Sequence, residues 1–128
     1  MTVSILVVDD EADVAELFRQ QFRREVRQGL YAIHFAQSGD EALDKLADGI
    51  RPEPIVILSD INMPGMDGFG LLRKIKEEHA NLPVIMLTAY GDEERRRMAS
   101  EYGASEFVTK PVDFALLKQQ LNQLPASP

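Results

Sequence analysis

The chain has 128 residues, 45% of them hydrophobic and 27% charged, with a formal net charge of −7 and no cysteine. That length suits one domain around one hydrophobic core, leaves no room for a second, and the apolar-to-charged balance excludes a disordered or fibrous chain. Without cysteine there is no disulfide framework or thiolate metal site, and the acidity, with a pI near 4.8, argues against direct nucleic-acid contact, which needs a basic face to displace counterions.

The opening segment has no basic n-region, and its apolar run is too short for a signal peptide or a membrane span, so a soluble, cytoplasmic protein without a membrane partner is expected. Residues 5–8 form a short Val- and Ile-rich run that reads as a buried parallel strand. It ends in Asp9, Asp10 and Glu11, whose mutual repulsion a bound divalent cation would relieve. Val14, Leu17, Phe18 and Phe22 then recur at helical spacing and are predicted to share one face of a first helix. Arg23, Arg24 and Arg27 sit near its end, where cations suit the helix dipole, and Gly29 marks the stop.

Tyr31, Ile33 and Phe35 alternate with Ala32, His34 and Ala36, the period of a strand with one less buried face, and so an edge. Ser38 and Glu41 make a capping box for a second helix carrying Ala42, Leu43 and Leu46. Pro52 and Pro54 precede the next buried strand, residues 55–58, which runs into Asp60 and a Pro- and Gly-containing loop from Ile61 to Gly68. Met63 and Met66 read as packing within that loop. Leu71, Leu72 and Ile75 mark a third helix, and Pro83 precedes the strand at residues 84–87, which leads to Thr88.

Met98 and Ala99 indicate a fourth helix, on which Arg95, Arg96 and Arg97 beside Glu93 and Glu94 read as a solvated face, and Gly103 ends it. A last strand at residues 106–109 delivers Lys110, and Phe114, Leu117 and Leu121 mark a fifth helix. His34 and His79 have no partners at metal-ligand spacing and are assigned to structure. Five strand–helix units with right-handed crossovers predict a three-layer α/β/α domain on a parallel sheet, spanning residues 1–124, with a short tail at 125–128.

In an open parallel sheet the carboxyl ends of the strands line a ligand crevice, so Asp9, Asp10, Asp60, Thr88 and Lys110 would meet there. Three carboxylates, a hydroxyl and an ammonium suit a hard divalent cation and a phosphoryl group. Asp60 can attack phosphorus and form an acyl phosphate. Asp10 and Asp60 are candidate Mg²⁺ ligands, with Asp9 completing the metal set by holding a metal-bound water. Lys110 supplies a point charge for one phosphoryl oxygen and Thr88 a donor for another.

From Val3 to Leu124 the chain resembles the receiver domains of two-component response regulators. The likeness rests on the acidic pair, on Asp-Ile-Asn-Met-Pro-Gly-Met-Asp-Gly beginning at Asp60, on Thr88-Ala89, on Phe107 and on Lys110-Pro111. It implies a flavodoxin-like (βα)5 fold with strand order 2-1-3-4-5. It also implies transfer of a phosphoryl group to Asp60 from a histidine kinase or phosphotransfer protein, dependent on Mg²⁺ or Mn²⁺, with the Asn62 backbone carbonyl joining Asp9, Asp10 and Asp60 around the metal.

The resemblance implies further that Thr88 and the aromatic Phe107 relay the change to the face formed by the fourth helix, fifth strand and fifth helix. An output protein or an appended effector domain, or a second copy in a homodimer, would read that face. Lys110-Pro111 would be cis, which proline permits at modest cost. Phe107 stands where many relatives carry tyrosine, which removes a hydroxyl from the output face. Asn62 and Tyr90 correspond to positions that tune phosphoryl lifetime in the family the chain resembles, and the Tyr90 ring is expected to hinder the attacking water.

Two other readings compete. A receiver retained only as an unphosphorylated docking module would keep the same fold. A phosphohydrolase working through an aspartyl phosphate would need its nucleophile after the first strand with a second acid two residues on. Asp9 with Glu11 matches that poorly, and little sequence is left for a substrate-selecting cap. No Gly-rich loop follows the first strand, as a dinucleotide enzyme would require.

Overall fold

The computed structural model describes residues 2–89 and 91–124, so Tyr90 and the tail at 125–128 lie outside the described residues. The elements run β1 (Val3–Val8), α1 (Ala12–Gln21), α2 (Arg23–Arg27), β2 (Tyr31–Ala36), α3 (Gly39–Asp48), β3 (Ile55–Asp60), α4 (Gly68–Glu78), β4 (Val84–Thr88), α5 (Glu93–Glu101), β5 (Glu106–Thr109) and α6 (Phe114–Gln123). All strand pairs are parallel and the order is β2-β1-β3-β4-β5, which makes β3 central and β2 an edge as the sequence pattern indicates.

Alternation along each buried strand divides the core between the two faces of the sheet. Ile5, Val7, Val56, Leu58, Ile85 and Leu87 pack with Phe18, Phe22, Leu117 and Leu121, the buried stripes of the first helical stretch and α6. Leu6, Val8, Ile57, Val84 and Met86 face the other way, onto Ala42, Leu46, Leu71, Leu72, Ile75 and Ala99 of α3, α4 and α5. Aromatic rings fasten the first of these layers: the Phe18 and Phe114 centroids stand 5.1 Å apart, and Phe22 and Tyr31 5.6 Å, both edge to face.

Two local details depart from the sequence reading. The first helical stretch bends at Phe22, whose φ of −104° and ψ of 8° leave the helical region, so it divides into α1 and α2 and the chain has six described helices. The ladder continues across the bend, with Phe22 N–H donating to Phe18 O and Val26 N–H to Phe22 O. Leu17, grouped with the buried face by its spacing, is 42% exposed. Val14, Phe18 and Phe22 repeat every four residues and form the true stripe, and Leu17 lies one residue, about 100°, around the helix from Phe18.

The helix boundaries follow from capping. Ser38 Oγ accepts from Glu41 N–H at 3.1 Å, while the Glu41 carboxylate reaches back to Gln37 N–H at 2.6 Å, one residue earlier than in a strict capping box. Asp67, Asp92 and Asp113 cap α4, α5 and α6 in the same way, each accepting from the backbone N–H three residues on. Gly29 and Gly103 take φ of +74° and +95° and end the helical stretches before β2 and β5.

Candidate functional site

Register determines which strand ends meet. Val8 pairs with Ser59, Asp60 with Leu87 and Thr88 with Thr109, so β1, β3, β4 and β5 terminate at nearly one level. Asp9 follows β1, Asp60 and Thr88 are the last residues of β3 and β4, and Lys110 follows β5. Carboxylate oxygens of Asp9, Asp10 and Asp60 all lie within 4.8 Å of one another. Asp9 and Asp60 are buried, each 6% exposed, and Thr88 is fully buried, whereas Asp10 faces solvent.

Lys110 connects the two buried acids, with Nζ 3.3 Å from Asp9 Oδ2 and 3.6 Å from Asp60 Oδ2. Asp9 is further fixed by Glu11 N–H, which donates to its Oδ1 at 2.9 Å. Burial pushes the Asp60 carboxyl above its ordinary range. Lys110 opposes that rise, the Asp9 charge adds to it, and the backbone N–H groups of Asn62 and Ile61 oppose it. For Lys110, burial alone would favour the neutral amine, but Asp9 and Asp60 outweigh it and raise the ammonium above its ordinary value.

The loop after β3 is held against the site by backbone contact. Gly68 N–H donates to Ile61 O at 2.8 Å, and a Cβ at Gly68 would stand only 2.3 Å from the Asp60 carbonyl oxygen. Across the crevice, a Cβ at Gly91 would meet the Thr109 methyl at 2.0 Å, so glycine lets the β4–α5 connection pass close to the end of β5. Neither approach was read from the sequence. The available signal was a glycine in the first turn of a helix already capped by Asp67, where alanine is the better helix former.

Asp9, Asp10, Asp60, Thr88 and Lys110 are thus brought to one edge of the sheet. Asn62 is exposed in the loop beyond Asp60, with its backbone N–H turned toward that carboxylate. Lys110-Pro111 is a cis peptide. Phe107 does not reach the carboxylates. It lies earlier on β5, half-buried and paired in register with Met86, and its ring packs on the core beneath α5. Above it sits Arg96, whose guanidinium carbon is 4.8 Å from the ring centroid. Arg96 therefore crosses to β5 rather than merely adding to the solvated face expected for residues 95–97.

A sequence profile described as the response regulator receiver domain matches residues 5–122. The transcriptional regulatory protein ResD of Bacillus subtilis is 44% identical over 107 residues, which are 84% of this chain and 41% of that protein. The response regulator PleD of Caulobacter vibrioides is 36% identical over 97% of this chain and 26% of its own length. The chain therefore spans less than half of each of these curated relatives. Among solved structures, the response regulator TrrA from Thermotoga maritima, in complex with Mg(2+)-BeF, superposes with a TM-score of 0.79 at 34% identity, covering 95% of this chain and 98% of that one.

Proposed function

This chain belongs to the response regulator receiver domain family of two-component signalling, and on that premise we propose that it is a phosphoacceptor switch with Asp60 as the acceptor. The observation that carries the proposal is the placement of a buried carboxylate at the end of the central strand, with an ammonium 3.6 Å away and two further carboxylates beside it. A phosphorylated histidine of a kinase or phosphotransfer protein is the donor. An Asp60 oxygen attacks its phosphorus, the phosphorus–nitrogen bond breaks, and the imidazole leaves with the bonding pair.

Lys110, already placed between Asp9 and Asp60, pairs with one oxygen of the incoming group, and the Thr88 hydroxyl donates to another. The all-oxygen, anionic donor set fits Mg²⁺ or Mn²⁺, which Asp9, Asp10, Asp60 and the Asn62 backbone carbonyl would hold, and which when bound would neutralise the oxygens that otherwise repel a phosphoryl group. Receiver domains are signalling domains rather than enzymes in the usual sense, and the chain assists only its own phosphorylation and dephosphorylation.

The response passes along one face of the sheet. Thr88 and Met86 project from the same side of β4, and Phe107 lies beside Met86 on β5, so a movement of Thr88 is felt by the Phe107 ring. The α5-β5-α6 face then changes and is read by an output protein, an appended effector domain or a second copy. Residues 1–124 form the receiver unit, working in the cytoplasm without contacting nucleic acid itself; among the described residues no helix is long and apolar enough to cross a membrane.

Intact mass after incubation with acetyl phosphate tests the proposal. Wild type gains one phosphoryl group only when Mg²⁺ is present, and Asp60→Asn gains none. An unmodified wild-type mass under quick trapping would instead favour a docking module.

A further inference from the structure

We infer that Arg96 is a positioning residue for the Phe107 ring and, through it, sets how readily the α5-β5-α6 face responds at Asp60; this rests on the receiver reading above. Three arginines stand in a row on α5. Arg95 Nη1 pairs with the Asp92 carboxylate at 2.6 Å, and Arg97 Nε lies 3.8 Å from Glu101, both on their own helix. Arg96, between them, lays its guanidinium over the Phe107 ring of the neighbouring strand, its carbon 4.8 Å from the centroid.

Three properties of this contact give it leverage. First, α5 is lightly attached, since Ala99 is its one buried residue among those described, so a cross-element contact is a large share of what seats it. Second, Phe107 carries no hydroxyl to hydrogen-bond, and its ring is half-buried. The π face under Arg96 is the polar hold available to it. Third, the ring lies on the same side of the sheet as Thr88, one strand over, where a change at the phosphoacceptor arrives first.

A cation–π contact at an exposed site, as here where Arg96 faces solvent, shifts an equilibrium by roughly two- to fivefold. Arg96 therefore stabilises the ring position seen here, and its loss raises the fraction of molecules ready for the alternative by the same factor. A ligand that selects the alternative then has its apparent affinity improved in proportion.

The test compares wild type, Arg96→Met, which keeps the apolar stem and loses the charge, and Arg97→Met as a control on the same helix. The aromatic NMR resonances of Phe107 are followed in the free protein and through a titration with Mg²⁺ and beryllofluoride. Arg96→Met is expected to move the free-protein ring resonances and lower the beryllofluoride midpoint roughly two- to fivefold, with Arg97→Met doing neither. A role confined to seating α5 would lower melting temperature without moving the midpoint, and that result overturns the inference. So does an unmoved ring, or an equal response in Arg97→Met. If Asp60 and Thr88 resonances of wild type ignore beryllofluoride altogether, the receiver reading fails first and the inference falls with it.

Discussion

Gly68→Ala separates helix propensity from the geometry of the site. Alanine in place of glycine within a helix normally stabilises by about 0.5–1 kcal/mol. At Gly68, however, the added methyl would stand 2.3 Å from the Asp60 carbonyl oxygen, 2.7 Å from Ile61 Cα and 2.9 Å from Met86 Cε. The methionine end can swing away, but the other two atoms are backbone, so α4 must back off from the end of β3 by about 1 Å. Overpacking of this kind costs about 1–3 kcal/mol, and contact with backbone favours the upper half of that range. Unfolding entropy for a chain of this size corresponds to about 4 °C per kcal/mol, so the melting temperature should fall by about 8–12 °C. Because the crowded atoms belong to Asp60 and Ile61, the yield of acetyl phosphate labelling should fall as well. Gly70→Ala is the matched control. Its methyl would meet the flexible Met66 side chain at 3.2 Å and Asp67 Oδ1 at 3.5 Å, and it should melt at or slightly above wild type. Thermal unfolding followed by circular dichroism decides the matter. A Gly68→Ala protein as stable as Gly70→Ala would refute the close approach of α4 to Asp60.

Two further predictions concern other parts of the molecule. Glu25 on α2 accepts from Lys118 of α6 at 2.8 Å, and that hydrogen bond is the main reason its carboxyl is held below the ordinary value, against the opposing effect of burial. A depressed folded-state pKa means that the stabilisation is complete above the unfolded value, near 4.5, and is lost as pH falls through the lower folded one. Wild type should therefore exceed Glu25→Gln in stability by about 0.5–1 kcal/mol at neutral pH, with the gap closing only in acid; urea melts that show a pH-independent gap would count against the pairing. For Tyr90→Ala, faster loss of phosphate is the outcome expected from the proposed role of this residue, two positions after Thr88, in hindering the attacking water. An unchanged half-life of the labelled protein would rule that out.

The sequence disclosed the central strands and the candidate site for one physical reason. Short Val- and Ile-rich runs such as residues 55–58 have no amphipathic alternative, and parallel strands deliver their following residues to one edge, so Asp60 and Lys110 could be brought together although 50 positions separate them. Features settled by contacts between distant segments were not legible. Leu17 and Phe18 both satisfy helical spacing, and only the rings of Phe22, Tyr31 and Phe114 decide which of them is buried. Arg95, Arg96 and Arg97 are chemically identical, and the seating of α5 on β5 selects the middle one for Phe107. The bend at Phe22 and the contacts that require glycine at Gly68 and Gly91 belong to the same class.

What the fold contributes to the chemistry is an imbalance of charge that the core can bear. Three carboxylates and one ammonium crowd the end of the sheet, so two negative charges are left in excess when all are ionised. Desolvation makes that arrangement costly at Asp60 in particular, as its raised pKa records. The apolar layers on both faces of β3, whose six residues are all buried, supply the stability that offsets the cost. Relief comes only from added positive charge, so a divalent cation should bind the folded chain in preference to the unfolded one and raise its melting temperature by mass action. On the function proposed above, such a cation would offset the carboxylate charge, and a phosphoryl group arriving with it would pair with Lys110 and Thr88. The proposed switch would draw on that charge imbalance at the resting site, and α5, with Ala99 its one buried residue among those described, would be the element to register the difference.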